Sequence, residues 1–240
     1  MVDFETILYD KKDGIGFVTL NRPQSLNVYN TKMRDELFTV LGAIKDDDEI
    51  RLVIFRAAGE KAFCAGADLT EFLTAPPPVQ ARQVRFDRDI WGLFLSLTQP
   101  SIAALHGFVL GSGIEIALCC DIRLAADDVR FGLPEVGLGI IPAAGGTQTL
   151  PRAIGQAKTL EMFLTGQWLN AQEALKNRLV NRIVPRGELW PSAEQLAQKI
   201  LSYNYAAVSK AREAVIRGLE MPLSDGLELE ARLSKLVHQA

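Results

Sequence analysis

Two glutamates draw attention by their neighbours. Glu115 lies in Gly111-Ser112-Gly113-Ile114-Glu115-Ile116-Ala117-Leu118, and Glu135 ends Phe131-Gly132-Leu133-Pro134-Glu135. A carboxylate among apolar residues is costly to bury and needs a reason to be there. For Glu115 the plain alternative is a surface carboxylate complementing a helix dipole. Burial raises a carboxyl pKa, and a second carboxylate raises it further, so such a pair can hold one base and one acid near neutral pH. Two glycine-containing turns accompany them: Ala62-Phe63-Cys64-Ala65-Gly66-Ala67-Asp68-Leu69, and His106 to Glu115. Each leads into a helix, where N–H groups lack intrahelical partners and can face an oxyanion; a tight packing turn is the other reading. A third glycine-rich run, 137–147, follows Glu135.

Other chemistries find little support. The two histidines, His106 and His238, leave a histidine metal site or a Ser-His-Asp triad resting on His106 alone. Cys64, Cys119 and Cys120 have no CxxC spacing and read as reduced core thiols, which points to the cytoplasm. Lysine plus arginine is 26 against 29 acidic residues, a net charge of -3, and the longest like-charge run is Asp46 to Glu49. That balance argues against nucleic acid or a membrane surface as partner. The first residues lack the basic-then-apolar order of a signal peptide, and no apolar run reaches membrane-spanning length.

The elements that must position these groups follow from periodicity. Short apolar runs at 7–9, 16–20, 52–56 and 102–105 read as strands. Met33, Leu37, Val40, Leu41 and Ile44 mark a helix over 31–44, capped by Asn30 or Thr31. Asp68 can cap a short helix that stops before Pro76, Pro77 and Pro78. The span 79–97 carries Phe86, Ile90, Leu93, Phe94 and Leu97 on one helical face and Arg82, Arg85 and Arg88 on another, a solvated stripe rather than a phosphate site. From Pro185 the pattern is helical over 188–201, 206–217 with Gly218 as C-cap, and 223 to the end. Seven basic and seven acidic residues over 186–240 leave this region balanced, a cover or an assembly surface.

The runs AFCAGADL, HGFVLGSGIE with CCDIRLA after it, and FGLPEVGLGIIPAAGGTQTLPRAIG together resemble the crotonase superfamily, the enoyl-CoA hydratases and isomerases, from about Ile7 to about Val237. The resemblance implies an α/β fold, a spiral of strand-strand-helix units with a C-terminal helical region, divided as a core with the CoA and catalytic site over 1–185 and a helical cover or trimerisation region over 186–240. It implies homotrimers, which pair into hexamers. It also implies an oxyanion hole from the N–H groups of Ala67 and Ser112, with Glu115 and Glu135 as catalytic residues. CoA would lie along Ser25, Leu26, Ala65, Ala67, Asp68, Leu69, Thr70 and Ser112.

The activity implied is hydration of a 2-enoyl-CoA to a 3-hydroxyacyl-CoA, with an acyl-CoA thioester as substrate and no metal or other cofactor. Double-bond isomerisation, hydration of cyclic dienoyl-CoAs and thioester hydrolysis use the same hole, but members doing isomerisation or hydrolysis commonly lack one of the two glutamates. A fold-retaining RNA-binding or scaffold protein is a reading of another class, and the acidic balance counts against it. Three departures from the family pattern stand out: Ser112 where glycine is usual, Asn27-Val28-Tyr29 where Asn-Ala and then Leu or Met is usual, and an end at Ala240 where members generally continue into another helical segment. The last makes a trimmed or naturally short chain the expectation. Tyr29 or Trp91 could shape a flat pocket.

Overall fold

The computed structural model describes residues 4–72 and 88–239. The expectations for Pro76 to Pro78, Arg82, Arg85 and Phe86 lie outside the described residues.

Alternating side chains in the strands build two cores at once. β2 (Ile15–Leu20), β3 (Leu52–Ala57), β5 (Ser101–Leu105) and β7 (Ile122–Ala126) run parallel in one sheet. Ile15, Phe17, Leu52, Ile54, Ile102, Ala104, Leu124 and Ala126 fill one face, while Val18, Leu20, Val53, Phe55, Ala57, Ala103, Leu105 and Ala125 fill the other. That is the two-residue period of a strand buried on both sides, which is why these segments are apolar without a break. β1 (Ile7–Lys12) pairs antiparallel with β2 at one edge, and β10 (Arg182–Val184) pairs with β7 at the other.

A second sheet holds the short strands β4 (Ala62–Cys64), β6 (Phe108–Leu110), β8 (Arg130–Gly132) and β9 (Leu169–Asn170), in that order. The chain visits the two sheets in turn. β3 leads to β4 and the turn at residues 65–68, β5 leads to β6, and β7 leads to β8; successive visits are parallel in both sheets. Among the described residues the α-helices in chain order are α1 (Thr31–Asp46), α2 (Leu69–Phe72), α3 (Ile90–Leu95), α4 (Ser112–Leu118), α5 (Gly146–Ile154), α6 (Gln156–Thr165), α7 (Ala171–Lys176), α8 (Leu189–Leu201), α9 (Tyr205–Gly218) and α10 (Leu223–Gln239). This is the expected strand-strand-helix spiral.

Met33, Leu37, Val40, Leu41 and Ile44 of α1 are all buried, and Asn30 is the cap, its side chain accepting from Met33 N at 2.9 Å. Asp68 caps α2 through Thr70 N at 3.2 Å. Leu189, Ala193 and Ala197 of α8 seal the outer face of the large sheet at helical spacing. One cap differs from expectation: α9 runs through Gly218 and Leu219 is its C-cap, in an ordinary helical conformation that needs no glycine. Arg212 ties α9 to the core, donating to Asp121 Oδ2 at 2.8 Å and to the Leu97 carbonyl at 2.6 Å.

Asn27, buried and left-handed at φ 55°, clamps the loop that faces Ala65. Its Oδ1 accepts from Arg22 N at 2.7 Å, and its Nδ2 donates to the Ala58 and Ala62 carbonyls, each at 2.9 Å. Asn27→Asp keeps the shape but replaces two donations with carboxylate facing carbonyl, so stability should fall by about 2 kcal/mol or more in urea unfolding. An unchanged midpoint and slope would show that the clamp contributes nothing.

Candidate active site

Each visit to the small sheet ends in a turn, and three of these turns meet. Gly66 follows β4, Gly111 follows β6, and Glu135 follows β8. Gly111 has φ 48°, a conformation that disfavours any other residue. A Cβ there would lie 2.6 Å from Glu135 Oε1 and 3.4 Å from Gly66 Cα. Gly113 is pressed against the end of β4, where a Cβ would stand 2.3 Å from the Cys64 carbonyl oxygen. Ser112 sits between these two close approaches.

The geometry leaves two main-chain donors unused. Tyr29 and Ala67 form a parallel bridge in which Tyr29 N donates to the Gly66 carbonyl and Asp68 N to the Tyr29 carbonyl, each at 2.8 Å. Ala67 N–H is not part of it. Ser112 is the first residue of α4, so its N–H has no intrahelical acceptor. Neither N–H has a hydrogen-bond partner among the described residues. Both residues line a cleft of about 690 Å³ together with Glu115 and Glu135.

The two carboxylates sit in unlike surroundings. Glu115 is only 3% exposed, in the first turn of α4. Its Oε1 accepts from Ala144 N at 2.9 Å and from Gly146 N at 2.8 Å, so the start of α5 holds it with backbone dipoles. Glu135 is partly buried, and its Oε2 has no hydrogen-bond partner among the described residues. Burial pushes its carboxyl up to about 7; its own backbone N–H opposes this and the neighbouring Glu115 adds to it. A buried carboxyl oxygen without a partner is a place for a substrate or a water to bond. One group oriented by N–H donors and one poised to gain or lose a proton near neutrality, beside unused donors for an oxyanion, can carry out acid-base chemistry next to a polarised carbonyl.

Of the residues expected from the sequence, Glu115, Glu135, Ala67 and Ser112 are thus gathered on one cleft. Ser25, Leu26, Ala65, Asp68, Leu69 and Thr70 are not among its lining residues. They flank its Ala67 side, where Ala65 N donates to the Leu26 carbonyl at 3.0 Å and Arg22 Nη1 to Asp68 Oδ2 at 3.1 Å. Tyr29 and Trp91 both line the cleft, with ring centroids 5.8 Å apart. Sequence reasoning gave no role to Arg34, to the wall 139–144 or to Gly146. The glycine-rich run was the one signal for the last two: Gly145-Gly146 opens α5 and frees N–H groups.

His106 is buried elsewhere, its Nε2 3.0 Å from the Gly59 carbonyl oxygen, and burial pulls its pKa down to about 4. The three cysteines are free and buried, and burial pushes the Cys64 and Cys119 thiols up to about 12.

The chain is similar to known proteins over nearly its whole length. Residues 10–240 match the family model described as Enoyl-CoA hydratase/isomerase. The short-chain-enoyl-CoA hydratase of Clostridium acetobutylicum is 38% identical over 231 residues, covering 96% of this chain and 88% of the relative. The crotonyl-CoA hydratase of Syntrophomonas wolfei is 36% identical over 229 residues, covering 95% and 88%. The crystal structure of an enoyl-CoA hydratase from Bacillus anthracis superposes with a TM-score of 0.93 at 38% identity, covering 98% of this chain and 92% of that one. With its spiral fold and its paired turns, the chain belongs to the enoyl-CoA hydratase/isomerase family, the crotonase superfamily.

Proposed function

We propose that the protein hydrates 2-enoyl-CoA thioesters to 3-hydroxyacyl-CoA. The observation that carries this reading is the convergence of two carboxylates in unlike surroundings with two unused main-chain donors on one cleft. The hydratase names of the Clostridium and Syntrophomonas relatives support the reaction type.

In this mechanism the thioester oxygen lies between the N–H groups of Ala67 and Ser112, which draw charge from the double bond and stabilise the enolate-like oxygen as it forms. Glu115 takes a proton from water while the water oxygen bonds to Cβ. Glu135 gives a proton to Cα. One proton is thereby exchanged from one carboxyl to the other, and its return resets the pair. CoA runs over Ser25, Leu26, Ala65 and 67–70, and no cofactor is required besides the CoA of the substrate.

The same reading assigns residues 1–185 to the core with its catalytic and CoA sites, and 186–240 to a cover and assembly region. Exposed Val215, Leu219 and Leu223 on α9, its C-cap and α10 support a homotrimer, or a hexamer built as a pair of trimers. A cytoplasmic location belongs to the proposal as well; among the described residues no helix is long and apolar enough to cross a membrane.

The test is to mix the purified protein with a panel of short, long and cyclic enoyl-CoAs and follow loss of the conjugated absorbance with product identification. A 3-hydroxyacyl-CoA product is expected. Shifted double bonds or free CoA as the sole products would replace hydration by another reaction of the family. Glu115→Gln and Glu135→Gln should each lower turnover by about a hundredfold or more with melting temperature unchanged, and full activity in both would refute their roles.

The pH dependence has a definite sign. Hydration neither takes up nor releases protons overall, so the active form in both directions carries one proton on the pair. As pH rises through about 7, the value to which burial lifts Glu135, that proton is lost and kcat/KM should fall. Forward and reverse profiles should share this limb. A hydration rate still climbing between pH 7 and 9 would contradict the assignment of Glu135 as acid.

A further inference from the structure

The cleft is not uniformly apolar. Ile90, Trp91, Ile140, Ile141 and Pro142 give it greasy walls, yet Arg34 and Arg88 also line it. Their guanidinium groups share the single carboxylate of Asp35 among the described residues: Arg34 Nη2 lies 2.7 Å and Arg88 Nη1 3.5 Å from Asp35 Oδ1. Among the described residues two cations thus share one paired carboxylate, and Arg88 is about half exposed. Tyr29 lines the same cleft. Burial pushes its phenol above its ordinary range, Arg34 opposing while Asp35 and Glu115 add to the shift. Its hydroxyl has no hydrogen-bond partner among the described residues.

A phenol O–H and two guanidinium groups on the wall of one cleft form a donor-rich cluster, in which two cations share the carboxylate of Asp35. Planar guanidinium groups match a carboxylate well, and a partly desolvated pairing of this kind discriminates by an order of magnitude or more. On the proposed reading, CoA leaves over Ser25, Leu26 and Ala65, outside the lining of this cleft, so the arginines fall on the acyl side. Resting on that reading, we propose that the preferred substrate is an enoyl-CoA whose acyl chain ends in a carboxylate, held by Arg34 and Arg88 with Tyr29 beside them. The greasy walls carry the intervening methylene groups.

Binding tests this without turnover. Calorimetric titration should show glutaryl-CoA, or a longer dicarboxylic monothioester such as adipyl-CoA, binding about tenfold more tightly than pentanoyl-CoA. Arg88→Met and, separately, Arg34→Met should bring that ratio toward one. Equal loss of affinity for all of these thioesters in the variants would mean that the arginines hold CoA phosphates, and would overturn the proposal. So would equal affinities in the unaltered protein. Thioesters that bind with the expected ratio while no enoyl-CoA is hydrated would leave this pocket standing and remove the hydratase reading. Failure of every thioester to bind would remove both.

Discussion

At Gly111 three turns of the spiral meet with no room for a methyl group. The backbone there approaches Gly66 on one side and the Glu135 carboxyl on the other, at distances a Cβ would close to 3.4 Å and 2.6 Å. The contact follows from topology. Because β4, β6 and β8 are parallel neighbours, whatever follows each of them emerges at the same edge of the small sheet. Ala67, Ser112 and Glu135 are the residues that emerge there. They are far apart in sequence, but each lies within a few residues of the end of its strand. The cleft is therefore a property of the repeating strand-strand-helix unit, and the rest of the molecule keeps that edge in register by filling the two cores on either side of the large sheet.

The fourth group, Glu115, comes from one turn further along α4 and is held from outside the spiral's repeat. Ala144 and Gly146, at the start of α5, donate to its Oε1. This settles the problem of a charge in an apolar helix, since a carboxylate accepting backbone N–H bonds at a helix N-terminus is compensated without a counter-cation. Glu135 has no such arrangement on Oε2, and burial lifts its carboxyl to about 7. The difference between the two glutamates is thus one of backbone donors, two from the start of α5 at Glu115 against its own N–H at Glu135, whose Oε2 has no partner among the described residues. Their side chains are chemically identical, so the fold alone sets them apart.

The sequence was informative where periodicity was long. The helix of Met33 to Ile44 is readable because its burial follows one period over successive turns, and the strands around Leu20, Arg56 and Leu105 because they are unbroken apolar runs bounded by turn residues or charge. The strands of the small sheet were not, since Ala62–Cys64, Phe108–Leu110 and Arg130–Gly132 are three residues each and too short to show an alternation. Yet these short strands place the site. That is why the residues could be nominated from their neighbours while their convergence came only from the family resemblance, and then from the coordinates. Arg34 was invisible for another reason: it lies on a helix whose apolar stripe explains the sequence pattern fully, and nothing marks which polar residue faces a cleft.

Ser112 shows how the close approaches constrain the chain unequally. Where the family usually has three glycines in a row, this chain has Gly111-Ser112-Gly113. The flanking positions have no space: a Cβ at Gly111 meets Glu135, and one at Gly113 meets the Cys64 carbonyl. The middle residue has no such contact with the backbone of β4, and its side chain is accommodated with 7% of the residue exposed. What the proposed mechanism asks of this position is its N–H, which every residue but proline supplies. The serine therefore preserves the donor while placing a side chain at the cleft wall, so on the proposed reading its effect falls on the shape and polarity of the pocket and not on the oxyanion hole. The same separation runs through the cleft, where Ala67 and Ser112 present main-chain N–H groups while the side chains of Tyr29, Arg34, Arg88 and Ser112 shape its wall.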